Sequence, residues 1–277
     1  MSDLQTWRWD RATRYEIPRG GVFVREAGEG APLVLLHPLA LSSQVFTPVA
    51  RELAREFHVL AVDARGHGGS DWDGSPFTIE DMADDLAALL DSMSLDAVSV
   101  LGMSMGGCTA IAFAERFADR VEGLVLADTT AWYGDQAPQQ WAERARRARA
   151  VPRVAQVPFQ VDRWFTGEFR RSAPSRVNAV VSAFLSTSSR VHAAASTAMG
   201  SFDGREGLPG IAQPVLAITG EQDYATPEAM GRYVADHVPD GRFVLLPGVR
   251  HLSLIERPDL TGVVRDFLVP SHAASPG

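Results

Sequence analysis

A serine set between two glycines, Gly102-Met103-Ser104-Met105-Gly106, follows directly on the apolar run Ala97-Val98-Ser99-Val100-Leu101 and opens onto Gly107-Cys108-Thr109-Ala110-Ile111-Ala112-Phe113-Ala114. No other stretch narrows the possible folds as far. The first run has the length and residue types of a short buried strand, and the last those of a tightly packed helix. A G-x-S-x-G between a strand and a helix forces its serine into a strained turn, where only glycine-sized neighbours let the backbone pass, and it leaves the hydroxyl exposed. The five-residue pattern alone is weak, because small residues meet often in a chain this rich in alanine and glycine; the strand before it and the helix after it give it force.

The sequence before the serine predicts more of the same alternation. Residues 13 to 27 hold two short alternating segments broken at Pro18-Arg19-Gly20-Gly21, which reads as a hairpin edge. Leu33-Val34-Leu35-Leu36-His37 is apolar without polar alternation, as in a parallel strand covered on both faces. A helix at about 43 to 56, a second buried strand His58-Val59-Leu60-Ala61-Val62-Asp63, and the glycine-rich loop Asp63-Ala64-Arg65-Gly66-His67-Gly68-Gly69-Ser70 come next. Thr78 with Asp81 forms a capping-box pattern ahead of a helix whose Ile79, Met82, Leu86, Leu89, Leu90 and Met93 share one face. Gly123-Leu124-Val125-Leu126-Ala127-Asp128-Thr129 is a further strand. The progression is βαβαβαβ and the fold class α/β, a mostly parallel central sheet flanked by helices.

Between about 130 and 210 the buried-strand runs stop. Trp132, Trp141 and Trp164, the arginine-rich Glu143-Arg144-Ala145-Arg146-Arg147-Ala148-Arg149, and helical patterns near 173 to 187 and 189 to 199 predict a helical lid inserted into the sheet domain. Alternation resumes with Val215-Leu216-Ala217-Ile218-Thr219-Gly220, a helix from Pro227 to His237, the strand Arg242-Phe243-Val244-Leu245-Leu246 and a closing helix from Pro258 to Leu268, with a frayed tail at 270 to 277. The expected organisation is a core of residues 1–130 and 211–277 and a lid of 131–210. At 277 residues, 45% hydrophobic and 22% charged, one α/β domain with an insertion accounts for the whole chain.

Composition removes several chemistries. All 26 basic residues are arginine, which excludes Schiff-base lysine chemistry, a Ser-Lys dyad and a P-loop G-K-[ST] together. The formal charge of −8 argues against nucleic acid or an anionic membrane as a partner. The single cysteine, Cys108, cannot form an intramolecular disulfide and reads as a small buried residue of the helix after the serine. The seven histidines include no H-x-H or H-E-x-x-H, so no metal and no cofactor is expected. Met1-Ser2-Asp3-Leu4-Gln5-Thr6-Trp7-Arg8 lacks a hydrophobic signal core, and no apolar run reaches the roughly 18 residues of a membrane helix, so a cytoplasmic location is expected.

A serine hydroxyl is a poor nucleophile at neutral pH and needs a base to take its proton and an acid to hold that base in the right tautomer. Gly220-Glu221-Gln222-Asp223-Tyr224-Ala225-Thr226-Pro227 places an aspartate just after a buried strand, and Gly248-Val249-Arg250-His251-Leu252-Ser253 places a histidine after the next one. In a doubly wound sheet, loops at the carboxyl ends of strands share one edge, so Ser104, Asp223 and His251 can converge there as nucleophile, acid and base. Asp128 also ends a strand and competes with Asp223 for the histidine. Arg65 and His67 read as braces of their loop, and His37 as a structural neighbour of the site.

The serine turn, the Asp63-to-Gly68 loop, the Gly220-to-Pro227 segment and the His251-to-Pro258 segment together resemble the α/β-hydrolase superfamily over roughly residues 20 to 269. Within it, Val59 to Gly68, Leu126-Ala127-Asp128-Thr129-Thr130-Ala131-Trp132 and His251-Leu252-Ser253-Leu254-Ile255-Glu256 look most like the 3-oxoadipate enol-lactonases of aromatic catabolism. That resemblance implies cofactor-free hydrolysis of a small carboxylate-bearing lactone or ester under the lid, through an acyl-enzyme. Other functions on the same scaffold are C-C bond hydrolysis, perhydrolysis and, from a different class, non-catalytic binding of a small ligand. The chain departs from the enol-lactonases at Arg190-Val191-His192-Ala193-Ala194, where they tend to carry a Gly-Tyr helix start, so the lactone's identity stays open. It also reads His37-Pro38-Leu39 where many esterases have glycine. Proline lacks an N-H, which leaves the backbone amides of Leu39 and Met105 as the oxyanion donors. Trp132 and Trp164 are candidate pocket walls, and Arg190, with Arg144 and Arg147, a candidate partner for a substrate carboxylate. A monomer and a homo-oligomer are equally compatible with the sequence.

Overall fold

A computed structural model of the chain describes residues 7–269, so the 270 to 277 tail and most of the N-terminal segment fall outside the described residues. The hairpin is β1 (Arg11–Ile17) and β2 (Gly20–Ala27), antiparallel through pairs such as Tyr15 with Val22, and Gly20 takes the φ of +117° that its turn demands. After it come β3 (Ala31–Leu36), α1 (Thr47–Leu53), β4 (Phe57–Val62), α2 (Ile79–Ser92), β5 (Val98–Met103), α3 (Met105–Arg116) and β6 (Val121–Ala127). Five helices intervene: α4 (Ala137–Ala150), α5 (Arg153–Trp164), α6 (Gly167–Ser172), α7 (Pro174–Ser186) and α8 (Ser189–Ser201). The chain then returns through β7 (Val215–Gly220), α9 (Glu228–His237), β8 (Gly241–Leu246), α10 (Ser253–Glu256) and α11 (Gly262–Leu268).

The eight strands form one sheet in the order β1-β2-β4-β3-β5-β6-β7-β8. β2 pairs antiparallel with β1 and β4, and every other neighbour pair is parallel. Every residue of β5 and β7 is buried, as strands covered on both faces must be. Register aligns the carboxyl ends: Met103 lies opposite Ala127, Ala127 opposite Ile218, and Gly220 opposite Leu246. The loops leaving β5, β6, β7 and β8 therefore open on one edge.

α2 begins at the capping box read from the sequence. The Asp81 amide donates to Thr78 Oγ1 at 3.1 Å and the Thr78 amide to Asp81 Oδ2 at 2.9 Å, an arrangement that stabilises a helix start by about 1 kcal/mol. Its apolar face from Ile79 to Leu90 is buried against the core, while Met93 packs against it only in part. Three expectations need correction. The helix expected over 43 to 56 is a 3₁₀ turn at Ser43–Phe46 followed by the short α1, which starts at Pro48's turn. The closing helix likewise splits into a 3₁₀ turn at Pro258–Thr261 and α11. Between β6 and β7 there are five helices rather than two. α4 buries only Ala137, Trp141 and Ala148, and α5 carries Pro158 inside it, so neither has the broad apolar stripe or unbroken run that announces a helix in sequence.

Candidate active site

Ser104 stands between the last residue of β5 and the first of α3 with φ +55° and ψ −117°. That conformation belongs to neither the right- nor the left-handed helical well and costs a residue with a Cβ about 1–3 kcal/mol. The fold overdetermines it. The Ser104 amide donates to Ala127 O at 2.9 Å, while its carbonyl accepts from Thr129 Oγ1 at 2.7 Å and from the amides of Gly107 and Cys108 at 2.9 and 3.2 Å. The glycines are required by close approach: a Cβ on Gly102 would lie 2.3 Å from Gly106 O, and one on Gly106 2.0 Å from Leu36 O. Both obstacles are backbone atoms that cannot move aside.

His251, in the loop after β8, accepts the Ser104 hydroxyl at its Nε2 over 2.9 Å and donates from Nδ1 to Asp223 Oδ2 over 2.8 Å. The carboxylate fixes the tautomer, since an ionised aspartate only accepts. Asp223 is itself held: Oδ1 accepts from the amides of Ala225 and Thr226 at 2.7 and 3.1 Å, and Oδ2 from Thr226 Oγ1 at 2.7 Å. Burial pushes the Asp223 pKa up, but the facing imidazole and the Thr226 donors outweigh it and hold the carboxyl below its usual range. Thr226 is a site residue the sequence reading missed. The signal available was its position three residues past an aspartate, where it closes a local Asp turn. Ser104, Asp223 and His251 each keep 5% or less of their surface exposed. The open hydroxyl expected from the turn is thus an enclosed one.

Asp128 ends up elsewhere. Its Oδ1 accepts from the Gly220 amide at 2.9 Å, and its Oδ2 from the Ser253 amide and hydroxyl at 2.9 and 2.7 Å, so it ties the ends of β6 and β7 to α10 and does not touch His251. Burial and the charge of Asp223 push its pKa well up. Leu39 and Met105, the expected oxyanion donors, lie on the loop after β3 and at the first position of α3, and neither amide has a hydrogen-bond partner among the described residues. A helix's first amides have no internal acceptor, which leaves that of Met105 available. On the other side, Ala64 N donates to His37 Nε2 at 3.0 Å, so the His37 proton is on Nδ1 and donates to Pro38 O at 2.8 Å. Anchoring that carbonyl also fixes the Leu39 N-H, because both belong to one rigid peptide plane and point opposite ways.

The loop holding His251 is clamped from the α5–α6 corner. Leu252 N donates to Trp164 O at 3.1 Å, and the buried Glu256 accepts from Arg250 N at 3.2 Å and from the amide and hydroxyl of Thr166. Trp164 is accordingly beside His251 through its backbone, while its ring packs edge-on against Phe184 and Phe165. Trp132 and Arg190, offered above as substrate contacts, are placed elsewhere: the Arg205 guanidinium covers the Trp132 ring at 3.6 Å, and Arg190 lies over Trp72 in an outer groove. Helical geometry separates Arg190 from the site, since His192 two residues on is turned some 200° around α8. A cavity of about 340 Å³ runs between α4, α5 and α8 and reaches Ala225, next to Asp223. Arg144 lines it, as does Arg163, which the sequence reading did not single out, and the exposed Arg147 stands at its rim. Cys108 is buried, and that burial pushes its thiol up to about 11, away from reactivity.

A serine turn at the end of a central parallel strand, with a hydrogen-bonded aspartate and histidine in the loops after β7 and β8, is an α/β-hydrolase arrangement. The chain belongs to that family: residues 31–258 match the model of the alpha/beta hydrolase fold. It is an enzyme of the carboxylic ester and lactone hydrolases. Among its relatives, 3-oxoadipate enol-lactonase 2 of Acinetobacter baylyi is 31% identical over 203 residues, covering 73% of this chain and 75% of that protein. The crystal structure of the enol-lactonase from Burkholderia xenovorans superposes with a TM-score of 0.88 at 33% identity, over 92% of this chain and 99% of the other. A thermophilic esterase from Thermogutta terrifontis, solved with malate bound, gives 0.86 at 28% identity over 93% and 98%. No helix among the described residues is long and apolar enough to cross a membrane.

Proposed function

We propose that the protein is a serine hydrolase that opens a small lactone or ester of the 3-oxoadipate enol-lactone kind through an acyl-enzyme, without a cofactor. The observation that carries this reading is the unbroken relay from the strained Ser104 through His251 to Asp223, with spans of 2.9 and 2.8 Å. In the first step His251 Nε2 takes the Ser104 proton as Oγ attacks the carbonyl carbon. The amides of Leu39 and Met105 hold the oxyanion, and Asp223 stabilises the imidazolium. Loss of one such amide would cost about 3 kcal/mol of transition-state stabilisation, which is why the Pro38 carbonyl's anchor on His37 matters. Collapse of the tetrahedral adduct breaks the ring or ester C-O bond, and the imidazolium returns its proton to the leaving oxygen. Water then attacks the acyl-enzyme with His251 again as base, releasing the acid and restoring Ser104.

Residues 131–210 act in this reading as the lid over the site, clamped through Glu256 and Thr166. The relatives named as enol-lactonases support a lactone substrate, and the chemistry of the relay supports ester hydrolysis in general. The test is hydrolysis of 3-oxoadipate enol-lactone beside p-nitrophenyl acetate and butyrate, with Ser104→Ala as control and fluorophosphonate labelling of Ser104. Rapid lactone opening and slow ester turnover, both abolished by Ser104→Ala, are the expected results. Ester turnover without lactone opening would discard the enol-lactone and keep the serine hydrolase; undiminished activity in folded Ser104→Ala would discard both.

A further inference from the structure

The last carbonyls of an α-helix have no partner within it and must find one elsewhere. Those at the end of α5 find theirs on either side of His251. Trp164 O accepts from the Leu252 amide at 3.1 Å, and Asp162 O accepts from the Arg250 guanidinium, which also reaches Asp162 Oδ1 at 3.0 Å. A cation is favoured there, because a helix presents its negative end at the C-terminus. The Thr166 amide, for which Asp162 O would be the helical acceptor, turns instead to the buried Glu256, and Glu256 also takes the Arg250 amide. The end of α5 is thus completed by the two neighbours of the catalytic histidine.

The same corner reaches the catalytic acid. Tyr224, next to Asp223, donates its hydroxyl to Asp162 Oδ2 at 3.1 Å, and the Arg250 guanidinium lies over the Tyr224 ring at 5.6 Å. One carboxylate therefore holds a neighbour of the base on one oxygen and a neighbour of the acid on the other. Arg170 of α6 adds a contact to Oδ1 at 3.2 Å. The hydrogen bond from Arg250 above all holds the Asp162 carboxyl below its usual range, so it is ionised at neutral pH. Tyr224 is 52% exposed and the Asp162 side chain 49%, so apolar burial is not what this contact supplies. Ser104, by contrast, takes its place from β6 and α3, through Ala127, Thr129, Gly107 and Cys108. The nucleophile is set by the sheet and the base and acid also by α5, so the 2.9 Å span between Ser104 and His251 depends on where α5 sits.

Resting on the serine-hydrolase reading and the lid proposed above, we infer that Asp162 is a positioning residue, whose carboxylate couples the seating of α5 on the core to the alignment of His251 and Asp223 with Ser104. It touches neither the substrate nor the reacting atoms and acts through Arg250 and Tyr224. The relay is complete only while the α5–α6 corner is seated, and displacement of the lid takes the base out of line.

The test is steady-state hydrolysis of p-nitrophenyl acetate by the full chain. Asp162→Ala should lower kcat about 5- to 30-fold, the range for two charge-assisted bonds discounted for a half-exposed carboxylate. Its KM should stay within about twofold, since the loss falls on the transition state and not on ground-state binding. Asp162→Asn, which keeps one acceptor oxygen and loses the charge, should fall between wild type and Asp162→Ala. Tyr224→Phe should lower kcat in the wild-type background and have no further effect on Asp162→Ala, because its hydroxyl acts only through that carboxylate. Glu168→Gln, which removes an exposed acid from α6 without touching these bonds, should leave kcat in place. An unchanged kcat in Asp162→Ala, additive losses from Asp162→Ala and Tyr224→Phe, or an equal loss in Glu168→Gln overturns the inference.

A second readout needs no turnover. A proton on His251 Nδ1 held by the buried Asp223 gives a low-field resonance in proton NMR, which should be present in wild type and Ser104→Ala and broaden or move upfield in Asp162→Ala. A fall in kcat with that resonance unmoved also overturns the inference, since the loss then arises away from the base. If wild type hydrolyses neither the acetate nor the enol-lactone but the resonance responds to Asp162→Ala, the hydrolase reading fails and the positioning role stands. If wild type hydrolyses them and Asp162→Ala keeps both kcat and the resonance, the positioning role fails and the hydrolase stands.

Discussion

Replacing Ser104 with glycine should make the protein more stable than replacing it with alanine, the order that helix N-caps generally show and that the backbone here reinforces. Both variants lose the hydroxyl and its 2.9 Å bond to His251, so that loss cancels in the comparison. What differs is the Cβ at φ +55° and ψ −117°. This region is open to glycine and strained for every other residue, and the relief lies toward the top of the roughly 1–3 kcal/mol attached to such outliers. Two effects oppose it: about 0.4–1 kcal/mol from the greater unfolded-state entropy of glycine, and about 0.8 kcal/mol for one buried methyl group. The balance is about 0.5–1.5 kcal/mol in favour of glycine. For a chain of this size it corresponds to a Tm about 1–5 °C higher. Thermal unfolding followed by circular dichroism at matched pH and concentration reads the difference directly, and esterase activity confirms that both proteins are inactive. A glycine variant melting at or below the alanine variant would refute the argument that the fold holds this serine under strain.

Asp223→Asn should fold normally and lose about 10⁴-fold in kcat, because an amide facing Nδ1 no longer enforces the tautomer that leaves Nε2 free to accept; a loss below tenfold in steady-state kinetics would deny Asp223 its role. Asp128→Ala should instead act on stability, by about 2–4 kcal/mol in urea unfolding, since it strands the buried amides of Gly220 and Ser253, and it should lower kcat far less than Asp223→Asn. The folded pKa of Asp223 is depressed, so its contribution to stability is present above the unfolded value of about 3.9 and is lost as pH falls through the folded one. Acid titration of Tm should accordingly show a shallower decline below pH 4 in Asp223→Asn than in wild type, and parallel curves would contradict that linkage.

Much of the catalytic edge is legible in the sequence because it is written in short segments with steep local requirements. Gly102 and Gly106 must be glycine since backbone passes where a Cβ would sit, and a six-residue apolar run without alternation has the length of a strand covered on both faces. Parallel strands then bring their carboxyl ends to one edge whatever their separation in sequence, which is how Ser104 and His251 meet across 147 positions. The helices between β6 and β7 are different. α4 and α5 carry arginines on faces that read as solvated, and no local pattern tells Arg144 and Arg163, which turn inward, from Arg146 and Arg149, which do not.

The sequence by itself determined the α/β class, the serine turn, and the order of the acid and base along the chain, because each of these rests on contacts within a few residues or on a strand's burial. Only the tertiary structure decided that Asp223 rather than Asp128 holds the imidazole, that Arg190 faces away while His192 faces in, and that positive charge gathers beside the relay. Those outcomes depend on the phase and crossing of whole helices and on the exact ends of strands, where a shift of one or two residues moves a side chain to the opposite face.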